Sequence, residues 1–239
     1  MLHSASRSKV VMPVQQREKS SSLLKDNVGQ VRTSESHPIT VSFLSEPSDN
    51  RGNIGLCYCP GKNVDRDGVR WRRDLDKDLA TVLRIPSPCL DQVKHVSCQL
   101  KSKFNIDLVV CLLSISELRH LGVKGSLEEA CRRAELDFIQ YPIIEMKAPE
   151  DFNSACQLLR RLSDAVRAGK HVVIHCRGGV GRAGTLGACL LLEQGVVHNA
   201  KDAIALVRKK RCKAAVESRS QEQFIAKFAT SLSSRSVCA

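Results

Sequence analysis

Residues 172–185 read Val-Val-Ile-His-Cys-Arg-Gly-Gly-Val-Gly-Arg-Ala-Gly-Thr, and this stretch decides the fold class. The apolar run that ends before Cys176 predicts a buried strand over 171–175, and the segment 182–194 predicts a buried helix. A strand that passes through a glycine-rich loop into a helix is typical of α/β proteins. Their ligands bind beyond the carboxyl ends of the strands, and Cys176 lies at such an end.

The glycine-rich loop is suited to binding an anion. Its glycines allow consecutive backbone N–H groups to converge on one point at the start of a helix, and Arg182 can bind a phosphate through two parallel N–H bonds. The same N–H groups stabilise a thiolate, so we predict that Cys176 is a nucleophile at neutral pH. We expect His175 to orient the loop and to help hold that thiolate. The predicted phosphate-binding residues are Arg177, Gly178, Gly179, Val180, Gly181 and Arg182.

The segments around this loop alternate between strand and helix patterns. Apolar residues that alternate with polar ones predict an edge strand over 39–43, and apolar segments predict strands over 54–59, 106–113 and 138–143. Helical spacing marks 74–84, 91–104, 127–136, 149–168, 199–210 and 218–232. Ser114 with Glu117, and Ser126 with Glu129, match the capping-box pattern. The order predicts an α/β fold, with a single domain in which a central, largely parallel sheet has helices on both faces.

The polar ends of the chain set the predicted domain limits. Residues 1–37 are rich in Ser, Lys, Arg and Gln, and this composition predicts a flexible basic tail. We assign residues 38–232 to the catalytic domain and residues 233–239 to a C-terminal tail. The first residues lack the apolar segment of a secretory signal. We therefore expect a cytoplasmic or nuclear protein, with a mitochondrial transit peptide left open.

The composition narrows the classes of partner. The chain has 239 residues and a formal net charge of +12, which favours anionic partners. No apolar run is long enough to span a bilayer, so we expect no membrane span. The 11 cysteines show no metal-ligand spacing, and we expect free thiols with no metal and no cofactor. No aromatic stacking platform is evident, so we expect no nucleic-acid partner, and we expect a monomer.

The arrangement of His175, Cys176 and Arg182, with five residues between the last two, resembles the signature of cysteine-dependent protein tyrosine and dual-specificity phosphatases. Further stretches resemble the cyclin-dependent-kinase-associated subgroup of that family, namely PITVSFL (38–44), IGLCYCPG (54–61), IDLVVCLLSISEL (106–118) and YPIIE (141–145). The resemblance implies a protein tyrosine phosphatase-like fold. It also implies a phosphorylated protein as the substrate, with a cyclin-dependent kinase as one candidate. The implied reaction has two steps: the cysteine takes the phosphoryl group while a carboxylic acid protonates the leaving oxygen, and water then hydrolyses the cysteinyl-phosphate.

The general acid departs from the family pattern. The family usually has an aspartate two residues after a Pro-Ile pair, whereas here Pro142-Ile143-Ile144 is followed by Glu145. Glutamate has the same acid chemistry with one extra methylene. Asp151 and Glu150 follow on the same side of the loop and remain alternatives to Glu145.

Four further positions bear on the implied mechanism. Ala183 stands where the family usually has a serine or threonine that eases loss of the thiolate. Glu217 stands at the position often held by a water-orienting glutamine, and Gln221 matches the family's later glutamine. By resemblance, Cys111 matches a cysteine that can capture an oxidised nucleophile as a disulfide, and packing in its strand is the alternative role.

The sequence also bears on the substrate. No aromatic-plus-basic motif precedes the catalytic loop, which favours a shallow pocket that admits phosphoserine and phosphothreonine as well as phosphotyrosine. An inositol lipid is the second substrate class, although its phosphatases tend to have two lysines in the loop, where this chain has Arg177. Ala183 and Glu145 motivate a third hypothesis, a slow or near-inactive phosphatase that acts as a phosphoprotein-binding module.

Overall fold

The protein is described here by a computed structural model that covers residues 30–46, 51–66, 68–82 and 104–236. Residues 1–29 of the predicted tail lie outside the described residues, as does the predicted helix over 91–104 apart from its last position. In chain order the elements are β1 (Gln30–Thr33), β2 (Ser42–Phe43), β3 (Ile54–Cys57), β4 (Asp65–Arg66), β5 (Val69–Arg72), α1 (Leu75–Val82), β6 (Leu108–Cys111), α2 (Ile115–His120), α3 (Leu127–Arg133), β7 (Asp137–Gln140), α4 (Phe152–Arg167), β8 (Val172–His175), α5 (Gly181–Glu193), α6 (Ala200–Lys210) and α7 (Arg219–Ser236).

The central sheet has five strands in the order β2-β3-β8-β6-β7. All neighbouring pairs are parallel except β2 with β3, which are antiparallel at one edge. Strand β8 lies in the middle, and all of its residues are buried, as expected for a strand covered on both faces. The prediction of a largely parallel sheet is confirmed.

Helices cover both faces of this sheet. The connection from β6 to β7 contains α2 and α3, and the connection from β7 to β8 contains α4 and returns past β6. Because parallel crossovers are right-handed, two connections that run in opposite directions lie on opposite faces. Helix α5 packs against β3 and β8 and contacts α4, α6 and α7, whereas α3 contacts β7 and α1.

Two predicted boundaries are wrong. Residues Gln30–Thr33 were expected to belong to a flexible tail, but they form β1, which pairs in parallel with β5 in a second sheet of order β1-β5-β4. At the other end, α7 continues to Ser236, beyond the predicted limit at residue 232. The short strands of the second sheet escaped prediction for three reasons. β4 has no apolar residue, the apolar-polar alternation of β5 extends only from Val69 to Arg72, and the pairing of β1 with β5 is long-range.

Local signals placed the helix starts correctly. The Ser114 side chain accepts a hydrogen bond from the backbone N–H of Glu117, whose carboxylate accepts one from the backbone N–H of Ser114, so the predicted capping box is present at α2. At α3, Ser126 accepts a hydrogen bond from the N–H of Glu129, but the Glu129 carboxylate bonds Arg132, so only half of the predicted capping box is present. Within the described part of the chain, no helix has the length and apolar character needed to cross a bilayer.

Candidate active site

Cys176 lies where β8 ends, at the base of a pocket of about 300 Å³. It is only 4% exposed. The loop from Arg177 to Val180 then leads into α5, whose first turn contains Arg182. Strand, loop and helix follow one another as the sequence predicted, and the pocket is lined by Cys176, Arg177, Gly178, Val180 and Arg182 among others.

Hydrogen bonds hold the carbonyl groups of the glycine-rich loop on the outer side of the loop. The carbonyl of Arg177 accepts a hydrogen bond from the N–H of Cys59 at 3.2 Å. Arg211 donates from Nη2 to the carbonyl of Gly178 at 2.9 Å and from Nε to that of Gly179 at 3.0 Å. Because a trans peptide unit directs its C=O and N–H to opposite sides, the next N–H group in each case points inward. Among the described residues, none accepts a hydrogen bond from these three N–H groups, which leaves them available to an anion.

Gly179 is the one loop position where only glycine fits. Its φ is 68°, in the left-handed region, and a Cβ atom there would lie 2.1 Å from the carbonyl oxygen of Cys57. A larger residue would push the loop away from the end of β3 and would disturb the convergence of the N–H groups. This close approach explains the loop's glycine at this position.

Arg182 is fixed by two hydrogen bonds from one nitrogen. Its Nη1 donates to Glu117 Oε1 at 2.7 Å and to the carbonyl of Ile143 at 2.8 Å, and its side chain is 3% exposed. Glu117 therefore has two functions, because its other oxygen completes the capping box of α2. The sequence analysis treated Glu117 only as a cap. The signal that it missed is that Glu117 follows the carboxyl end of β6, which lies beside the carboxyl end of β8.

Glu145 lies at the mouth of the same pocket. Its carboxylate forms an ion pair with Arg177, and the two side chains are 45% and 30% exposed, respectively. The carboxylate is therefore held beside the predicted phosphate-binding loop, where a general acid would be required. A bound phosphate would compete with Glu145 for Arg177.

The alternative acid Asp151 has a different environment. Asp151 is the N-cap of α4, and its Oδ1 accepts hydrogen bonds from the N–H groups of Asn153 at 2.9 Å and Ser154 at 3.1 Å. It is not among the residues that line the pocket, and neither is Glu150. Asp151 thus serves the helix start, and the geometry favours Glu145.

Glu217 lies at the pocket, whereas Gln221 is buried behind it. Glu217 lines the pocket, and a Cβ atom added to Gly181 would lie 2.1 Å from its Oε2. Gln221 is fully buried, and its Oε1 accepts a hydrogen bond from the N–H of Glu217 at 2.8 Å while its Nε2 donates to the carbonyl of Lys147 at 3.2 Å. Gln221 therefore joins the segment that contains Glu217 to the loop that contains Glu145.

His175 is fully buried directly before Cys176. Burial lowers the pKa of His175 to about 4, so its ring is neutral at pH 7 and adds no positive charge beside Cys176. Its strand register pairs it with Cys111 on one side and with Cys57 on the other. Burial raises the pKa of both thiols to about 12. The orienting role of His175 and the capture of oxidised Cys176 by Cys111 stay predictions.

Ala183 and Thr185 confirm one departure from the family pattern. Ala183 is buried in the first turn of α5 and offers no hydroxyl. The Thr185 hydroxyl donates to the carbonyl of Gly181 within the helix at 2.9 Å, so it is directed to its own backbone rather than to Cys176.

One wall of the pocket is aromatic and basic, which the sequence analysis did not predict. Lys62, Val64, Arg66 and Trp71 line it, and these residues come from the second sheet and the segment before it. The expectation that no aromatic-plus-basic motif precedes the catalytic loop is therefore wrong. These residues belong to one short segment, 62–71, in which the pairing of β4 with β5 brings Trp71 back beside Lys62. In the described ranges, no group of three or more metal-ligating side chains is arranged to hold a metal ion.

The chain is similar in sequence to a family of phosphatase domains and to proteins of known name. A family model described as "Swiss Army Knife protein, DSP-PTPase phosphatase domain" matches residues 89–225. The chain is 28% identical over 209 residues to cyclin-dependent kinase inhibitor 3 of Homo sapiens, an alignment that covers 84% of this chain and 85% of the relative. The protein of the same name from Rattus norvegicus is 28% identical over 198 residues, covering 81% and 80%, respectively.

Two solved structures are similar over most of the chain. One is kinase associated phosphatase with serine in place of its catalytic-site cysteine, at a TM-score of 0.62 and 24% identity, covering 82% of this chain and 97% of that one. The other is Tk-PTP in the active form, at a TM-score of 0.54 and 25% identity, covering 80% of this chain and 96% of that one. The first supports the fold alone, and the fold prediction is confirmed.

Proposed function

Because the chain belongs to the dual-specificity and protein tyrosine phosphatase family, it is a protein phosphatase, and we propose that it hydrolyses phosphorylated tyrosine, serine and threonine side chains through a phosphorylated Cys176. The observation that carries this proposal is the convergence of three features in one pocket. These are the Cys176 side chain, the inward loop N–H groups and the fixed guanidinium of Arg182.

In the first step, the Cys176 thiolate attacks the phosphorus atom. The S–P bond forms as the P–O bond to the substrate breaks, and the loop N–H groups and Arg182 stabilise the negative charge on the phosphoryl oxygens. Glu145, in its protonated form, donates its proton to the leaving oxygen and becomes a carboxylate. Arg177 exchanges its contact with Glu145 for a contact with the phosphate, which frees Glu145 for this transfer.

In the second step, water attacks the phosphorus atom of the cysteinyl-phosphate. The P–S bond breaks, inorganic phosphate leaves, and the thiolate is regenerated. Glu145, now a carboxylate, accepts a proton from the attacking water. Ala183 provides no hydroxyl to stabilise the departing thiolate, so this step is expected to be slow relative to the first.

The proposed partner is a phosphorylated protein, and a cyclin-dependent kinase is the candidate to test first. The name of the curated relatives, which this chain matches over 84% of its length, supports that candidate. Trapping provides a direct test, because a Cys176→Ser variant keeps the phosphate-binding loop without the nucleophile. Retention of a purified phosphorylated kinase, and not of the dephosphorylated kinase, is the expected result.

Steady-state hydrolysis tests the activity itself. We expect the parent protein to release phosphate from a small aryl phosphate and from peptides with phosphotyrosine or phosphothreonine, and Cys176→Ser to lose roughly 10³-fold or more of that rate. Hydrolysis of inositol phosphates with no hydrolysis of the peptides would contradict the proposal. So would equal rates for the parent and Cys176→Ser.

A further inference from the structure

Lys62 is a buried cation that the proposed reaction does not use. The residue is 8% exposed, yet it lines the pocket that contains Cys176. In the described part of the chain, no carboxylate lies within 4.0 Å of its ammonium group, and its close partners are aromatic rings. A lysine that is both buried and without a carboxylate is unusual unless a ligand completes its environment.

Aromatic packing fixes the position of this ammonium group. Lys62 Nζ lies 3.6 Å from the ring centroid of Trp71 and 4.7 Å from that of Tyr58, and the two rings are 5.6 Å apart. Arg32 lies 5.4 Å from the Trp71 ring. Cation–π contacts attract both cations to the ring. The ring therefore holds Lys62 in the pocket wall.

Burying the charge of Lys62 costs free energy, and an anion bound beside its ammonium group would offset part of that cost. Burial lowers the pKa of Lys62 to about 8, and the neighbouring Arg73, Arg32 and Arg177 add to that effect. Most of the lysine is still charged at pH 7, and an anion in contact with it would favour the charged form. Arg66 lines the same wall, so the positive charge of the pocket extends beyond the loop.

We propose that Lys62, held by Trp71 in the pocket wall, forms a second anion-binding subsite beside the Cys176 loop. The subsite would bind a second anionic side chain, either a phosphorylated residue or a carboxylate, next to the phosphorylated residue that is hydrolysed. The inference rests on the proposed function and names its substrate class: phosphorylated protein segments with a neighbouring negative charge. A phosphate on the loop occupies Arg182 and Arg177, which leaves Lys62 for the neighbouring charge.

The test compares peptides of one sequence. One has phosphotyrosine with neutral neighbours, the second has a glutamate beside the phosphotyrosine, and the third has a phosphoserine there. We expect the parent protein to hydrolyse the second and third with a kcat/KM about 10-fold above the first, since a hydrogen bond to a charged group contributes about that factor. In Lys62→Met, which keeps the packing on Trp71 without the charge, this preference should shrink by about 10-fold.

Two controls separate the subsite from general effects. Lys201→Met removes the same charge from the exposed start of α6 and should keep the parent's preference, whereas Lys62→Arg should retain most of it because the charge is preserved. The dissociation constants of the three peptides from Cys176→Ser, with and without Lys62→Met, measure the same preference without turnover. Thermal unfolding of Lys62→Met checks that the variant is folded.

The outcomes distinguish the subsite from the proposed function. Equal kcat/KM of the parent for all three peptides would overturn the subsite while the phosphatase function stands. The subsite would also be overturned if Lys62→Met lowered the rate on every peptide by the same factor, because that would indicate support of the catalytic loop. If the parent hydrolysed inositol phosphates but none of the peptides, the proposed function would fail together with the subsite.

Discussion

At the scale of single residues, Glu145 is the proposed donor of the proton to the leaving group. Its carboxylate is paired with Arg177 at the pocket mouth, and we expect Glu145→Gln to slow hydrolysis of poor leaving groups by about 10²- to 10⁴-fold. Good leaving groups need little protonation and should be affected much less. The measurement is kcat/KM for a series of aryl phosphates that differ in the acidity of the phenol.

Asp151→Asn is the matched control for this prediction. Asparagine is as good an N-cap as aspartate, so α4 should keep its start and the leaving-group dependence should stay that of the parent. If Asp151→Asn shows the steep dependence and Glu145→Gln does not, the general acid is Asp151.

At the scale of elements, the end of α6 shapes the catalytic loop. Arg211, which follows the last residue of α6, donates to the carbonyls of Gly178 and Gly179. Without these bonds the loop can rotate its N–H groups away from the pocket. We expect Arg211→Met to weaken inhibition by vanadate and to lower kcat/KM by about 10²- to 10⁴-fold, because two hydrogen bonds from a charged group are lost and each contributes about 1.5–3 kcal/mol.

Lys210→Met is the control for Arg211, because it removes a neighbouring positive charge. Lys210 forms an ion pair with Glu46, whose side chain is 81% exposed, and such surface pairs contribute little. We expect near-parental activity. An equal loss in both variants would indicate that the charge of the basic run, not the contact with the loop, supports activity.

The elements that the sequence predicted share one property, which is that their signals are local. The segment around Cys176 was predictable because a strand, glycines and a helix follow one another directly. The cap of α2 was predictable because Ser114 and Glu117 are three residues apart. The role of Arg211 was not predictable, since its partners lie 32 and 33 residues away. Lys62 is a different case, because its partners Tyr58 and Trp71 lie near it in the sequence. Its place in the pocket wall depends on strand pairs too short for a periodic pattern to indicate.

At the scale of the whole molecule, a buried ion pair joins the end of the second sheet to α1. Arg73 and Asp78 form two hydrogen bonds at 2.5 and 2.8 Å, and both side chains are fully buried. Asp78 also accepts from the N–H of Gly61 at 2.9 Å, and Arg73 donates to the carbonyl of His37 at 2.7 Å. The pair thus connects the first described segment, the loop before Lys62 and α1.

Breaking this pair should destabilise the protein. Asp78→Asn leaves the buried charge of Arg73 uncompensated, and we expect the free energy of unfolding to fall by about 3–5 kcal/mol. Urea denaturation measures the change. Asp76→Asn, which breaks an exposed pair with Arg133, should change it by less than about 0.5 kcal/mol. A loss below about 1 kcal/mol for Asp78→Asn would show that the pair does not support the fold.

The most direct test of the central claim is mass spectrometry of the protein quenched during turnover of a phosphotyrosine peptide. The account predicts an added phosphoryl group on the peptide that contains Cys176, and none in Cys176→Ser. Glu145 should accelerate formation of this species with poor leaving groups, while the lack of a hydroxyl at Ala183 should let it accumulate. A phosphoryl group found on another residue, or full turnover by Cys176→Ser, would contradict the account.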